Sequence, residues 1–149
     1  RAVNRRPAGD APPALASDPA IGVLQQLVDN ARAGKLVELL TLSYRLLVLH
    51  LGTAGVEALM RAYWRSAWPE PFASREAAGF ARFLAEQGLA VPHLDEVLAY
   101  ELASIDALGS GEAQQVAFSC DPREVIQALR AGRRPQALPK GAYELTVTP

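Results

Sequence analysis

With 149 residues, half of them hydrophobic, the chain has enough apolar surface for one core and is expected to form one domain, or one domain with a small appendage. A formal charge of −1 and a pI near 6.2 exclude a surface built broadly to coat phosphates, although arginines gather locally at Arg1, Arg5 and Arg6 and at Arg130, Arg133 and Arg134. One cysteine, Cys120, excludes an intrachain disulfide framework and suits a reducing compartment.

Residues 1–18 are rich in Pro, Ala and Arg without any period, and read as an extended arm. They carry no apolar signal-peptide region, which points to a cytoplasmic chain. A first helix is expected to begin near Asp18-Pro19, with Ile21, Leu24, Leu27, Val28 and Ala31 as its buried stripe and Gly34 as an interruption. A second should run from about Lys35 to Leu51. It is apolar nearly all round, carries Glu38, Arg45 and His50, and is too short to span a bilayer comfortably. Gly52 stops it.

The stretch from Val56 to Leu108 holds three more helical patterns. Val56, Leu59, Met60, Tyr63 and Trp64 share one face until Trp68-Pro69-Glu70-Pro71 breaks the helix. Ser74 reads as the N-cap of the next, with Ala77, Phe80, Ala81 and Leu84 inward and Gly88 closing it. After Val91-Pro92, Leu94, Val97, Leu98, Leu102, Ile105 and Leu108 cluster on one side of a last helix. Glu101 lies in the middle of that side, where an unpartnered carboxylate is costly. Arg45 is the expected partner; the alternative places Glu101 at a helix edge reaching water. Residues 19–108 thus read as a helical domain of about five helices.

The texture changes at Gly109-Ser110-Gly111. Alternation over Gln115–Cys120 and again over Ala142–Thr148 predicts two strands. Between them, Asp121-Pro122-Arg123-Glu124 is a strong helix start, and Gly132 a stop. The expected fold is therefore mainly α, with a small strand–helix–strand module over residues 112–149.

Catalytic constellations are missing. His50 and His93 are the two histidines, no metal-binding motif is present, and Cys120 reads as a small core residue. Without a phosphate loop, a GxGxxG or a GxSxG pattern, the residues point to a binding protein with no metal, rather than an enzyme.

Several segments in order resemble a family of small bacterial proteins encoded beside multinuclear non-haem iron-dependent oxidative enzymes. They are Tyr44-Arg45, VEALMRAYW, GFARFLAE, LDEVLAYELASIDA and FSCDPREVIQALRAGRRP followed by YELTVTP, covering about residues 36–149. Some relatives carry a DNA-binding label. The Phe-Pro found after the Tyr-Arg helix in those is replaced here by Leu49-His50-Leu51-Gly52, which favours the branch that serves ribosomal-peptide modification, as in methanobactin and 3-thiaglutamate biosynthesis.

The resemblance implies a non-catalytic subunit that forms a heterodimer with an iron-dependent TIM-barrel enzyme and holds the leader of a precursor peptide while the enzyme oxidises a peptide cysteine. The iron then belongs to the enzyme, with no cofactor on this chain. The alternative is a DNA-binding or regulatory domain, supported by the arginine cluster alone. Two strands leave an edge that an extended leader could join. Val116, Phe118, Tyr143, Leu145 and Val147 are the candidate strand contacts, and Arg130, Arg133 and Arg134 would meet acidic leader residues. If the helical body covers the edge, the strands are instead a clasp. Trp68 and Phe72, beside the proline break, are the candidate contacts to the enzyme.

Overall fold

The structure is a computed structural model that describes residues 19–149; the arm expected over residues 1–18 lies outside the described residues. Five helices and two strands follow in order: α1 (Pro19–Leu39), α2 (Thr41–Ser66), α3 (Ala73–Gln87), α4 (Leu94–Ser110), β1 (Gln114–Phe118), α5 (Pro122–Arg130) and β2 (Tyr143–Val147). The chain is thus mainly helical, with one small antiparallel sheet near its C-terminus. No single described helix is long and apolar enough to cross a membrane.

The first break falls at Leu40, not at Gly34. α1 runs through Gly34, and the chain then turns by 105° into α2. A glycine within a helix costs about 1 kcal/mol against alanine, too little to end a helix that packing favours. The corner forms where both loose helix ends find partners. The Thr41 hydroxyl donates to the carbonyls of Val37 (2.8 Å) and Glu38 (3.1 Å), which close α1. At the start of α2, the amides of Leu42 (2.7 Å) and Ser43 (3.0 Å) donate to the carboxylate of Glu101 on α4, as does the Ser43 hydroxyl (2.6 Å). Leu40 occupies the N-cap position and has no side chain able to cap, so a distant carboxylate does the work.

Gly52 does break the second helix. At φ 72° and ψ 168° it takes a backbone conformation outside the helical region that few other residues tolerate, dividing α2 into two segments. The second segment ends at Ser66, ahead of the proline pair at Pro69 and Pro71.

α3 begins one residue before the expected cap. Phe72, extended at φ −98° and ψ 131°, holds the N-cap position without any side-chain cap, and Ser74 lies inside the helix. The reason is Glu76, which is drawn inward. Its carboxylate accepts from Arg32 Nε at 2.7 Å and from the Glu70 amide at 2.8 Å, fixing the loop before the helix. Arg32 also donates to the Ala67 carbonyl and lies 5.1 Å from the Tyr63 ring centre. Burial, then the nearby Glu76 charge, pushes the Tyr63 phenol up to about 12. Close by, a Cβ on Gly79 would come within 2.5 Å of the Tyr63 hydroxyl, so glycine is what lets α3 approach α2 here.

Leu36, Leu40, Leu46, Leu47, Val56, Leu84 and Val97 fill the core between α1, α2, α3 and α4. The C-terminal segment enters the same core through Cys120, Val125, Ile126 and Leu129. At about 1.5–3 kcal/mol for each large aliphatic side chain fully buried, this holds α5 firmly against α2. The helix is capped as its sequence dictates: Asp121 accepts from the Arg123 amide at 2.9 Å, and Gly132 (φ 69°) ends it. The sheet packs its inner face on α4, where Val116, Phe118 and Val147 meet Ala107 with Tyr100, Ala103 and Leu145 around them.

The inner stripe expected of α1 is corrected. Ile21, Leu24, Leu27, Val28 and Ala31 are exposed, and the helix joins the body only from Arg32 onward. A helical period shows that a face is apolar, not that a neighbour reaches it.

The Arg45–Glu101 pair is likewise corrected. Arg45 Nη1 donates to the carbonyls of Leu129 (3.2 Å) and Arg130 (3.0 Å) at the end of α5, while Glu101 serves the start of α2. Each side chain answers a helix terminus of opposite partial charge. Glu101→Ala should therefore lower stability by about 2–4 kcal/mol by leaving buried donors unpaired, and Arg45→Ala by about 1 kcal/mol. In a double-mutant cycle read by denaturant unfolding, their coupling should stay below about 0.5 kcal/mol; a larger coupling would restore the direct pair.

Candidate functional site

β1 and β2 pair antiparallel, with Phe118 opposite Tyr143, Val116 opposite Leu145 and Gln114 opposite Val147 on one face. Side chains alternate across a strand, so Gln115, Ala117, Glu144 and Thr146 share the other face, and all four are exposed. Among the described residues each strand has one ladder neighbour. Each therefore keeps an outward edge whose alternate amides and carbonyls lie outside the ladder.

Of the expected peptide contacts, Val116, Phe118 and Val147 are buried against α4 and Leu145 is partly so. Their side chains belong to the sheet's own packing. Of the five strand residues Tyr143 alone is exposed. Arg130 and Arg133 face solvent at the end of α5. Arg134 is committed elsewhere: its guanidinium donates through Nε (2.9 Å) and Nη2 to the Leu49 carbonyl, ahead of the Gly52 break. A carbonyl freed by that break explains why an arginine is needed there.

Trp68 and Phe72 project from the proline-bracketed loop, 44% and 59% exposed. The loop itself is held: Arg32 binds the Ala67 carbonyl, and Lys35 Nζ reaches the Glu70 carbonyl at 3.4 Å. Arg75 lies 5.4 Å from the Phe72 ring centre. A fixed backbone presenting large apolar side chains is a suitable interface element.

A further cluster joins residues that sequence reading took one at a time. His93, Glu96 and Cys120 bring a ring nitrogen, a carboxylate oxygen and a thiol within 4.8 Å of one another. His93 is the N-cap of α4 in the left-handed region (φ 67°), the one non-glycine residue so placed among those described. Its Nδ1 lies 3.3 Å from Glu96 Oε2 and 3.5 Å from Cys120 Sγ. Glu96 Oε1 accepts from the Ser119 amide at 2.6 Å, clasping α4 to the end of β1.

Burial raises the pKa of Glu96, but hydrogen bonds from Ser119 and His93 outweigh it and leave the carboxyl below its ordinary value. Cys120 is pushed up by burial and by the charges of Glu96 and Asp121. The sequence signal was faint, because His93 and Cys120 stand 27 residues apart and meet only through the turn before α4.

Comparison with protein-family models, with characterised proteins and with solved structures yields no match to this chain.

Cys120 is 2% exposed and its thiol is biased towards the protonated form. Its alkylation by iodoacetamide at neutral pH should be at least about 100-fold slower in the native chain than in denaturant. Mass spectrometry of timed aliquots checks this; native labelling at the unfolded rate would contradict the burial.

Proposed function

We propose that this chain is a non-catalytic partner subunit that captures the leader of a ribosomally made precursor peptide by strand addition. In this reading it presents the peptide to an iron-dependent TIM-barrel enzyme that oxidises a peptide cysteine. The observation that carries the reading is the two-stranded sheet: its inner face rests on α4 while its edges have no further strand among the described residues. An added strand would gain backbone hydrogen bonds, which tolerate varied sequence, and would place alternate side chains over α4 or towards solvent. Selection would come from the rim of the sheet, including Tyr143, rather than from Val116, Phe118 or Val147.

Contact with the enzyme is assigned to the opposite resource of the fold, its exposed apolar side chains. Trp68 and Phe72 stand on a held loop, and Ile21, Leu24, Leu27 and Val28 make an apolar stripe along the first half of α1. Patches of this kind mark association surfaces. The iron would be the enzyme's. A DNA-binding role keeps only Arg130 and Arg133 of its arginine cluster, because Arg134 is spent on Leu49 and the inner face of α5 is in the core.

Hydrogen exchange of the chain with and without the leader encoded in its gene neighbourhood tests peptide capture. Amides of β2 or of β1 should become protected, and affinity should change little with salt. Protection confined elsewhere would overturn strand addition, and a steep salt dependence would favour phosphate binding. For the enzyme contact, Trp68→Ala should weaken capture of the co-expressed enzyme by about 2 kcal/mol, some 30-fold, with the thermal melt nearly unchanged. Undiminished capture would remove Trp68 from the interface.

A further inference from the structure

The trio at the start of α4 has the donor set of a metal site and, on the two edges that meet at His93, its spacing. We propose that His93 Nδ1, Glu96 Oε2 and Cys120 Sγ together bind one zinc ion, leaving a fourth position open to water or an incoming ligand. This site is independent of the iron assigned to the partner enzyme, and departs from the expectation that the chain carries no metal.

Three observations carry it. The first is distance. With zinc–nitrogen and zinc–oxygen bonds near 2.0 Å and a zinc–sulfur bond near 2.3 Å, a tetrahedral site has N···O edges of about 3.3 Å and N···S edges of about 3.6 Å. The structure has 3.3 Å between His93 and Glu96, and 3.5 Å between His93 and Cys120. The N···O separation is long for a hydrogen bond to a carboxylate, whose usual length is about 2.7–2.9 Å. A single Nδ1 faces both partners, and it carries at most one proton to share between them.

The second is the support around the donors. Glu96 is oriented by the Ser119 amide through its other oxygen, which leaves Oε2 for the metal. Outer contacts of this kind fix ligating carboxylates. Cys120 is held in the core beside Val125, Ile126 and Leu129, so the sulfur has little freedom to swing away. The third is backbone placement. His93 adopts a left-handed conformation that costs a residue with a Cβ of order 1 kcal/mol or more, and such conformations gather at binding sites.

Access and selectivity follow from the same residues. The side chains of His93 and Glu96 are 19% and 20% exposed, which gives an ion a path from solvent to the buried sulfur. A thiolate in the set disfavours magnesium and calcium, which take oxygen ligands, and nitrogen with sulfur suits zinc. On binding, the Cys120 thiol gives its proton to solvent as the sulfur–zinc bond forms; no electron changes hands. The ion would tie the first turn of α4 to the junction between β1 and α5, the segment from which the sheet is hung.

The test uses the full chain, purified, stripped with chelator and titrated under reducing conditions. One equivalent of cobalt(II), the spectroscopic substitute for zinc, should produce a thiolate-to-cobalt absorption that one equivalent of zinc abolishes. Cys120→Ala should remove that absorption. His93→Asn should weaken zinc binding at least about 100-fold, as loss of a direct ligand must exceed the effect of losing an outer contact. Asparagine tolerates the left-handed backbone, so this variant should keep the parent's circular dichroism. Glu96→Gln keeps an acceptor for the Ser119 amide and supplies a second folded variant with weakened binding. A parent that takes up no stoichiometric zinc overturns the proposal. So does zinc affinity that persists unchanged in folded His93→Asn and Glu96→Gln, which would mean an adventitious ion only.

Discussion

The carboxylate of Glu101 holds the corner on which the rest of the chain is arranged. Two helices meeting at 105° expose the carbonyls of one and the amides of the other at the same buried place. Thr41 satisfies the first set locally, and Glu101 satisfies the second from α4, 58 or more residues away in sequence. Among the described residues no cation pairs with this carboxylate; burial raises its pKa, against which the donors from Ser43 and Leu42 act. What makes the arrangement tolerable is the positive end of α2, which supplies partial charge and oriented amides together.

Glu76 solves the same problem by other means. It is fully buried, but its partner is a true cation, Arg32, and its second oxygen holds the Glu70 amide. Two buried charges need mutual hydrogen bonds to offset the loss of water, and Arg32 adds Ala67 and the Tyr63 ring to its contacts. This network joins α1, the end of α2, the proline loop and α3. The position of Trp68 and Phe72 therefore depends on a buried ion pair that fixes the backbone of their loop at Ala67 and Glu70.

Local signals were legible wherever the deciding interaction is local. Asp121-Pro122 with Gly132 marked α5, Gly88 marked the end of α3, and alternation placed both strands within two residues. The failures share another cause. Gly34 did not break α1, and Ser74 did not cap α3, because packing at Leu36 and Leu40 and the pull of Arg32 on Glu76 decided those boundaries. Glu101 was visible as an acid on an apolar face, yet its partners are backbone amides, which leave no residue type to recognise. Alternation grouped Val116 with Phe118 on the first strand and Leu145 with Val147 on the second, but it cannot say whether a peptide or α4 covers them. The metal-like trio depends on the left-handed turn at His93, which no spacing rule encodes.

α4 carries two long-range carboxylates, and their spacing explains how one helix can serve two neighbours. Glu96 and Glu101 are five residues apart, about 140° around the axis at about 100° per residue. One therefore points to the Ser119 amide at the end of β1, and the other to the amides that open α2. The sheet rests on the same helix about one to three turns beyond Glu96, through Tyr100, Ala103 and Ala107. A two-stranded sheet is marginal alone and takes its geometry from what it packs on. Its edge is thus fixed relative to the helical body by a chain of contacts running from the α1–α2 corner, through Glu101, along α4 and out through Glu96 to β1. Were a peptide strand to join it, as proposed, an edge held this way would lose little further freedom, and most of the ordering cost would fall on the peptide.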